Sequence, residues 1–283
     1  MIAIAQLTVR ELFRRRVVWV LAALTVVSIA LVAWGLDRLV VLARERGTDE
    51  LEIQIGVSQV LILIAFMFSF VLAMTAAFVG APAIGGDLES GVAYAILARP
   101  LRRTDVLVGR WLGCALVVVA YAVASGLLAI GVAALVSGTG PPYPLLAVAF
   151  LAGQALVLLS LTLALGSVLP SIAAGAIAVV AFGIGWMAGV LAGVATALGV
   201  AGLGPVAEVS RWLLPSDGLW RGVIYGLEPP LVVLIAAGRA PDIVAANPFY
   251  AADPPSLAFV AWSVVWIGLV LGAAAWWFER RDL

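Results

Sequence analysis

The sequence predicts an all-α integral membrane protein with six transmembrane helices and both termini on the cytoplasmic side. Three observations predict it. Of the 283 residues, 64% are apolar and only 11% charged, against about 45–50% and about 25% in a soluble domain. Six charge-free apolar stretches are each long enough to cross the hydrocarbon core, which takes roughly 20 helical residues. The arginines, finally, are shared unequally between the two sides that those stretches define.

The spans run over about 17–36, 57–84, 111–135, 144–169, 172–198 and 257–278, and all 32 charged residues fall outside them. Six spans bring both termini to one side. That side holds ten arginines, at 10, 14, 15, 16, 99, 102, 103, 110, 280 and 281, while the other holds six arginines and ten of the sixteen acids. The positive-inside bias makes the ten-arginine side cytoplasmic. Trp19, Trp111, Trp276 and Trp277 then sit near the inner interface, and Trp34 and Tyr143 near the outer one. The whole chain, 1–283, reads as one transmembrane domain.

Ahead of the first span, Ile2, Ala5, Val9, Leu12 and Phe13 recur at helical spacing within residues 1–16. The pattern suits a helix lying in the inner interface, with a solvated leader as the alternative. Basic residues before an apolar run also resemble a signal peptide, but a run of about 20 exceeds the 7–15-residue core of such signals and is expected to stay attached. Between spans 5 and 6, residues 199–256 form the largest non-spanning region. Ser216 and Asp217 can cap a short helix there, with Leu219, Trp220, Val223, Ile224 and Leu227 on one face. After Pro229 and Pro230, the apolar stretch 231–237 is too short to span. It either dips into the outer leaflet, under cover of protein or a wet cavity, or belongs to a compact outer cap.

The chain contains no Lys and no His. A P-loop of the G-x-x-x-x-G-K-[ST] kind is therefore excluded, as are H-E-x-x-H zinc chemistry and a Ser-His dyad. No catalytic residue and no metal ligand set is assigned. The single cysteine, Cys114, lies in an apolar run and reads as a packing residue. With no ionisable group inside a span, proton and ion coupling within the chain lose their usual carriers. Gly85-Gly86-Asp87 looks superficially like an intramembrane aspartyl protease motif, but no second aspartate lies in a span to share the proton.

Gly185, Gly189 and Gly193 repeat every fourth residue in span 5 and make a smooth stripe for close helix packing, against the same chain or a second copy. Phe66, Phe68 and Phe70 in span 2 are either packing residues or the wall of an apolar pathway. The inner loop 85–110, GGDLESGVAYAILARPLRRTDVLVGR, carries more than a positive-inside loop needs. Asp87, Glu89 and Gly91 precede a short apolar stretch, and Arg99, Pro100, Arg102 and Arg103 follow it. Such a loop is shaped to dock into a groove on a cytoplasmic protein.

In this loop the sequence resembles the membrane subunits, or permeases, of type-2 ABC exporters. The family's pattern of an acid, Gly, a short apolar run ending in Leu, Pro, a basic residue and a Gly-basic pair corresponds to Glu89, Gly91, Leu97, Pro100, Arg103 and Gly109-Arg110. Val92 stands where Thr is frequent, and Arg110 where Lys is usual. The basic leader 10–14 and the ending 278–283 are similar to the family's as well. The resemblance implies a permease that pairs with a second copy of itself or a homologous permease, and with two copies of a separate ATP-binding subunit. The loop would then be the coupling helix, contacting that subunit through Asp87, Glu89, Gly91, Arg99, Pro100, Arg102 and Arg103. It further implies export driven by the partner's ATP and magnesium, with no cofactor in this chain, in the inner membrane of a prokaryote. The uncharged spans favour an apolar or amphipathic substrate. The alternatives are a membrane component that transmits ATPase-driven force to an outer partner and, behind it, an embedded enzyme.

Overall fold

The structure, a computed structural model, describes residues 1–14, 16–89, 102–199, 204–229 and 247–280. In these residues the chain forms helices α1 (Ile2–Arg14), α2 (Arg16–Glu45), α3 (Glu50–Glu89), α4 (Arg103–Ser137), α5 (Pro144–Gly166), α6 (Ser171–Ala197), α7 (Gly204–Leu213), α8 (Ser216–Leu227) and α9 (Leu257–Arg280). Six of them, α2 to α6 and α9, are long and apolar enough to cross a membrane. The apolar runs make that outcome obligatory, because in lipid every backbone polar group must be satisfied within the segment.

Most helices outrun their apolar cores. The stretch 17–36 lies within the 30-residue α2, and 57–84 within the 40-residue α3. Nothing in the charged flanks breaks a helix, so each continues until a turn residue stops it. Gly47 (φ 72°) follows α2 and Gly138 (φ 77°) caps α4, both in the left-handed region that favours glycine. The fourth span is shorter than its apolar run, since α5 ends at Gly166 and Pro170 separates it from α6.

Contacts at the helix ends fix the topology. Arg103 of α4 bonds the last turn of α9, and Glu89 of α3 bonds the first residue of α6. At the opposite end Arg44 of α2 donates to the Ser137 carbonyl of α4, and the Tyr143 N–H to the Gly226 carbonyl of α8. The helices thus alternate in direction. Met1 and Arg280 lie at one end of the bundle, called here the terminal end.

α5 is the central post, its buried residues facing α3, α4, α8 and α9 in one continuous core. α2 sits outermost, with Trp19, Leu24, Leu31 and Trp34 exposed; Thr25 bonds the Tyr121 hydroxyl of α4. α1 lies on the terminal end of α4, where Arg110 pairs with Glu11 at 2.7 Å. Its packed face is Ile4, Ala5, Thr8, Val9 and Leu12, while Ile2 and Phe13 stay exposed. The packed face is therefore rotated from the one the spacing predicts, because Gly109 and Gly113 of α4 admit Ile4 and Thr8.

Candidate functional site

Two clusters of candidate side chains meet α6, one at its first residue and one about two-thirds of the way along it. At the terminal end, Gly91, Arg99 and Pro100 fall outside the described residues, but both flanks of their loop are in place. Glu89 closes α3. Its Oε1 accepts from the Ser171 backbone N–H at 2.6 Å, and both carboxylate oxygens accept from the Ser171 hydroxyl at 3.1 and 3.0 Å. Ser171 opens α6, so its N–H is one of the donors that a helix leaves unpaired, and a carboxylate there also meets the positive end of the dipole.

On the other flank, Arg102 is exposed at the N-cap position of α4 and Arg103 points back to α9. The Arg103 Nη1 donates to the carbonyls of Phe278 and Glu279 at 3.0 and 3.3 Å. A cation thus meets the negative end of a helix. Asp87 lies in the last turns of α3. The loop departs and returns, in short, through two charge-assisted contacts to the ends of two other helices.

Beside Glu89, α3 and α6 leave a cleft of roughly 540 Å³ lined by Met74, Ala77, Phe78, Ala81, Pro82, Ile172, Gly175, Ala176, Val179 and Val180, with Ser171 as its polar group. The three phenylalanines of α3 go elsewhere. Phe66 packs against Trp186 at a tilt and edge-to-face with Trp220 and Phe249, Phe68 is buried in a cluster with Ile29 and Ala129, and Phe70 is half-exposed beside Phe182.

At the far end, α7 and α8 form a hairpin that runs into the bundle. Gln154 of α5 accepts from Ser69 at 2.5 Å and donates to the Ser216 carbonyl at 3.1 Å, while Gly226 meets Tyr143 and Ala147 at the start of α5. α8 therefore lies antiparallel to α5, with its first residue about 15 Å in from the end of that helix. Trp262 and Trp266 of α9 donate to the carbonyls of Trp212 and Leu213, which puts the end of α7 at a similar depth. Gly218, Gly222 and Gly226 make the fit possible. A β-carbon on Gly222 would lie 2.5 Å from the Phe150 ring, and one on Gly218 would overlap Phe259.

Two expectations concern the far-end region. The stretch 231–237 is outside the described residues, whereas α8 itself enters the bundle, its apolar face packed on α5, α3 and α6 rather than on a cap of its own. And although no charge lies within a span, the hairpin brings three charges to mid-bundle. Asp217, 6% exposed, holds the Arg211 Nε at 3.2 Å and the Arg221 Nε at 3.8 Å. Burial pushes the Asp217 carboxyl above its usual range, and the two guanidiniums pull it back. The glycine stripe of α6 receives this tip: a β-carbon on Gly189 would fall on the Asp217 carboxylate, and one on Gly185 would be 3.3 Å from the Ser216 hydroxyl. Gly193, further along, is buried.

Where α8 ends, Glu228 is buried, accepts from the Ala251 N–H at 3.3 Å and bonds Gln59. Burial raises its pKa to about 7.

The deciding comparison covers nearly the whole chain. The family model described as ABC-2 family transporter protein matches residues 2–283. The chain belongs to that family. No curated protein matches it significantly. Membership in the ABC-2 transporter family, together with six apolar helices, makes this a multi-pass membrane protein.

Proposed function

We propose that this ABC-2 family protein is the permease subunit of an ATP-driven exporter. It works beside a second permease and two copies of a separate ATP-binding subunit, which supplies the ATP and magnesium chemistry. The observation that carries the reading is the pair of loop flanks, Glu89 on Ser171 and Arg103 on the end of α9. A push on the loop from a cytoplasmic partner reaches two further helices through these bonds. The arginine excess at the terminal end supports a cytoplasmic placement of that end, in the inner membrane of a prokaryote. With that orientation α8 enters the outer leaflet, packed against α5, α3 and α6.

The α3–α6 cleft supports an apolar or amphipathic substrate, since every lining residue but Ser171 is apolar. Its test is reconstitution in vesicles with the ATP-binding subunit. Substrate-stimulated ATP hydrolysis and directional uptake are expected. Replacing Glu89 and Arg103 together by Ala leaves the chain inserted and the ATPase active but removes transport; unchanged transport in that variant would sink the assignment of the loop.

A further inference from the structure

Residues 247–256 form a non-helical strap that leads into α9. Three contacts hold it to the bundle. The Trp220 indole N–H of α8 donates to the Pro248 carbonyl at 3.2 Å, Phe249 packs edge-to-face on Phe66 of α3 and on Trp220, and the buried Ala251 gives its backbone N–H to Glu228 at 3.3 Å. The first two are indifferent to pH. The third is not, because Glu228 is 3% exposed, follows α8 as its C-cap and also bonds Gln59, so that one carboxyl group joins α8, α3 and the strap.

The groups that face Glu228 do little to stabilise a charge there. Among the described residues, α3 offers the uncharged Gln59, the strap offers Tyr250 and, beyond it, Asp253, and the nearest charge on α8 is Arg221, about two turns back. Burial, Glu228 and Asp253 push the Tyr250 hydroxyl above its ordinary range, so it stays neutral. A protonated Glu228 accepts from the Ala251 N–H through its carbonyl oxygen and carries no charge. Ionised, it is a buried charge whose bonding partners are neutral, a cost that is relieved by letting water in. The strap is the neighbour that can give way, since α8 and α3 are packed helices.

We propose that Glu228 is a protonation catch for the strap: with its carboxyl protonated the strap is latched to α8 and α3, and ionisation frees it to lift Phe249 off the Phe66–Trp186–Trp220 cluster. The catch goes beyond the permease reading and stands on the chain's own contacts. The uncovered cluster continues the α3–α6 seam away from the terminal end, since Phe70 meets Phe182 beyond the cleft and Phe66 meets Trp186 a turn further on. In a permease, export would therefore vary with the pH at the far end.

The test uses the full chain in lipid nanodiscs, with Cys114 replaced by Ala and spin labels on two exposed positions, Ala252 of the strap and Leu145 at the start of α5. Pulsed electron resonance reads their distance from pH 4.5 to 8. In the otherwise unaltered chain the ratio of latched to lifted strap falls by up to about tenfold per pH unit between about 4.5 and 7, and levels off above. Glu228→Gln, which keeps the carbonyl acceptor and cannot ionise, makes the ratio independent of pH. Gln59→Leu removes a bond that favours the carboxylate, and moves the levelling point to higher pH. A distance that ignores pH in the unaltered chain, a pH dependence that survives Glu228→Gln, or a levelling point unmoved in Gln59→Leu overturns the catch. Should Glu228→Gln fail to fold, the unaltered chain and Gln59→Leu decide. A pH-independent strap in a chain that exports overturns the catch alone, whereas a pH-dependent strap in a chain that exports nothing with its ATP-binding subunit overturns the permease reading and leaves the catch in place.

Discussion

α6 is met by two opposite kinds of contact. At the terminal end an exposed carboxylate bonds a serine beside a close approach of α3 at Gly85 to α6. At the far end a buried carboxylate sits between two guanidiniums on a glycine seat. The exposed contact gains little, because water competes for both partners. The buried one is costly to break, because a lost partner leaves charge behind. The two contacts thus differ in what they join: the buried pairs tie α7 to α8, and the exposed one ties α3 to α6.

The largest effect that would break this comparison is Asp217→Ala. Removing one partner of a buried pair costs about 3–5 kcal/mol, and the partial exposure of both arginines brings the expectation to about 3 kcal/mol. It reads as a loss of folded protein and a lower melting temperature in detergent. Next comes Gly222→Ala, which forces a methyl group into the Phe150 ring and costs about 2 kcal/mol on the same assay.

Of similar size is a pH effect at Glu228. Its folded pKa of about 7 exceeds the ordinary 4.5, so the folded chain holds a proton that the unfolded chain releases. Its contribution is complete below about pH 4.5 and is lost as the pH rises towards 7. Thermal melts from pH 5 to 7.5 should decline, and Glu228→Gln should flatten that decline. The smallest stability effect is at Glu89: Glu89→Gln shifts the melt by under about 0.5 kcal/mol, yet reduces transport per ATP. A Glu89 variant as unstable as Asp217→Ala would erase the contrast between the two ends.

The six spans were legible because contiguous apolar length is a local property of sequence. Their ends were not, since Asp37, Arg38 and Glu52 are as compatible with helix as the apolar core they flank. The stripe at Gly185 and Gly189 could be seen, but not its occupant, which comes from a segment 28 residues further on. The hairpin's depth was illegible for the same reason, although Gly218, Gly222 and Gly226 gave a stripe of the same period inside a helix whose apolar face was read correctly. Phe66, Phe68 and Phe70 look like one wall on paper. At about 100° per residue the middle one faces nearly away from the others, and it is buried while Phe70 is half-exposed. Of the loop, Glu89 and Arg103 were identified from charge pattern and resemblance, but the helix ends that they cap are visible only in three dimensions.

The account's central claim is that the terminal-end loop receives force from a separate ATPase. Affinity capture of the tagged chain in mild detergent, without crosslinker and with partners identified by mass spectrometry, tests it most directly. The account predicts a P-loop ATP-binding protein at a one-to-one ratio with the chain. Repeated recovery of the folded chain alone would contradict it.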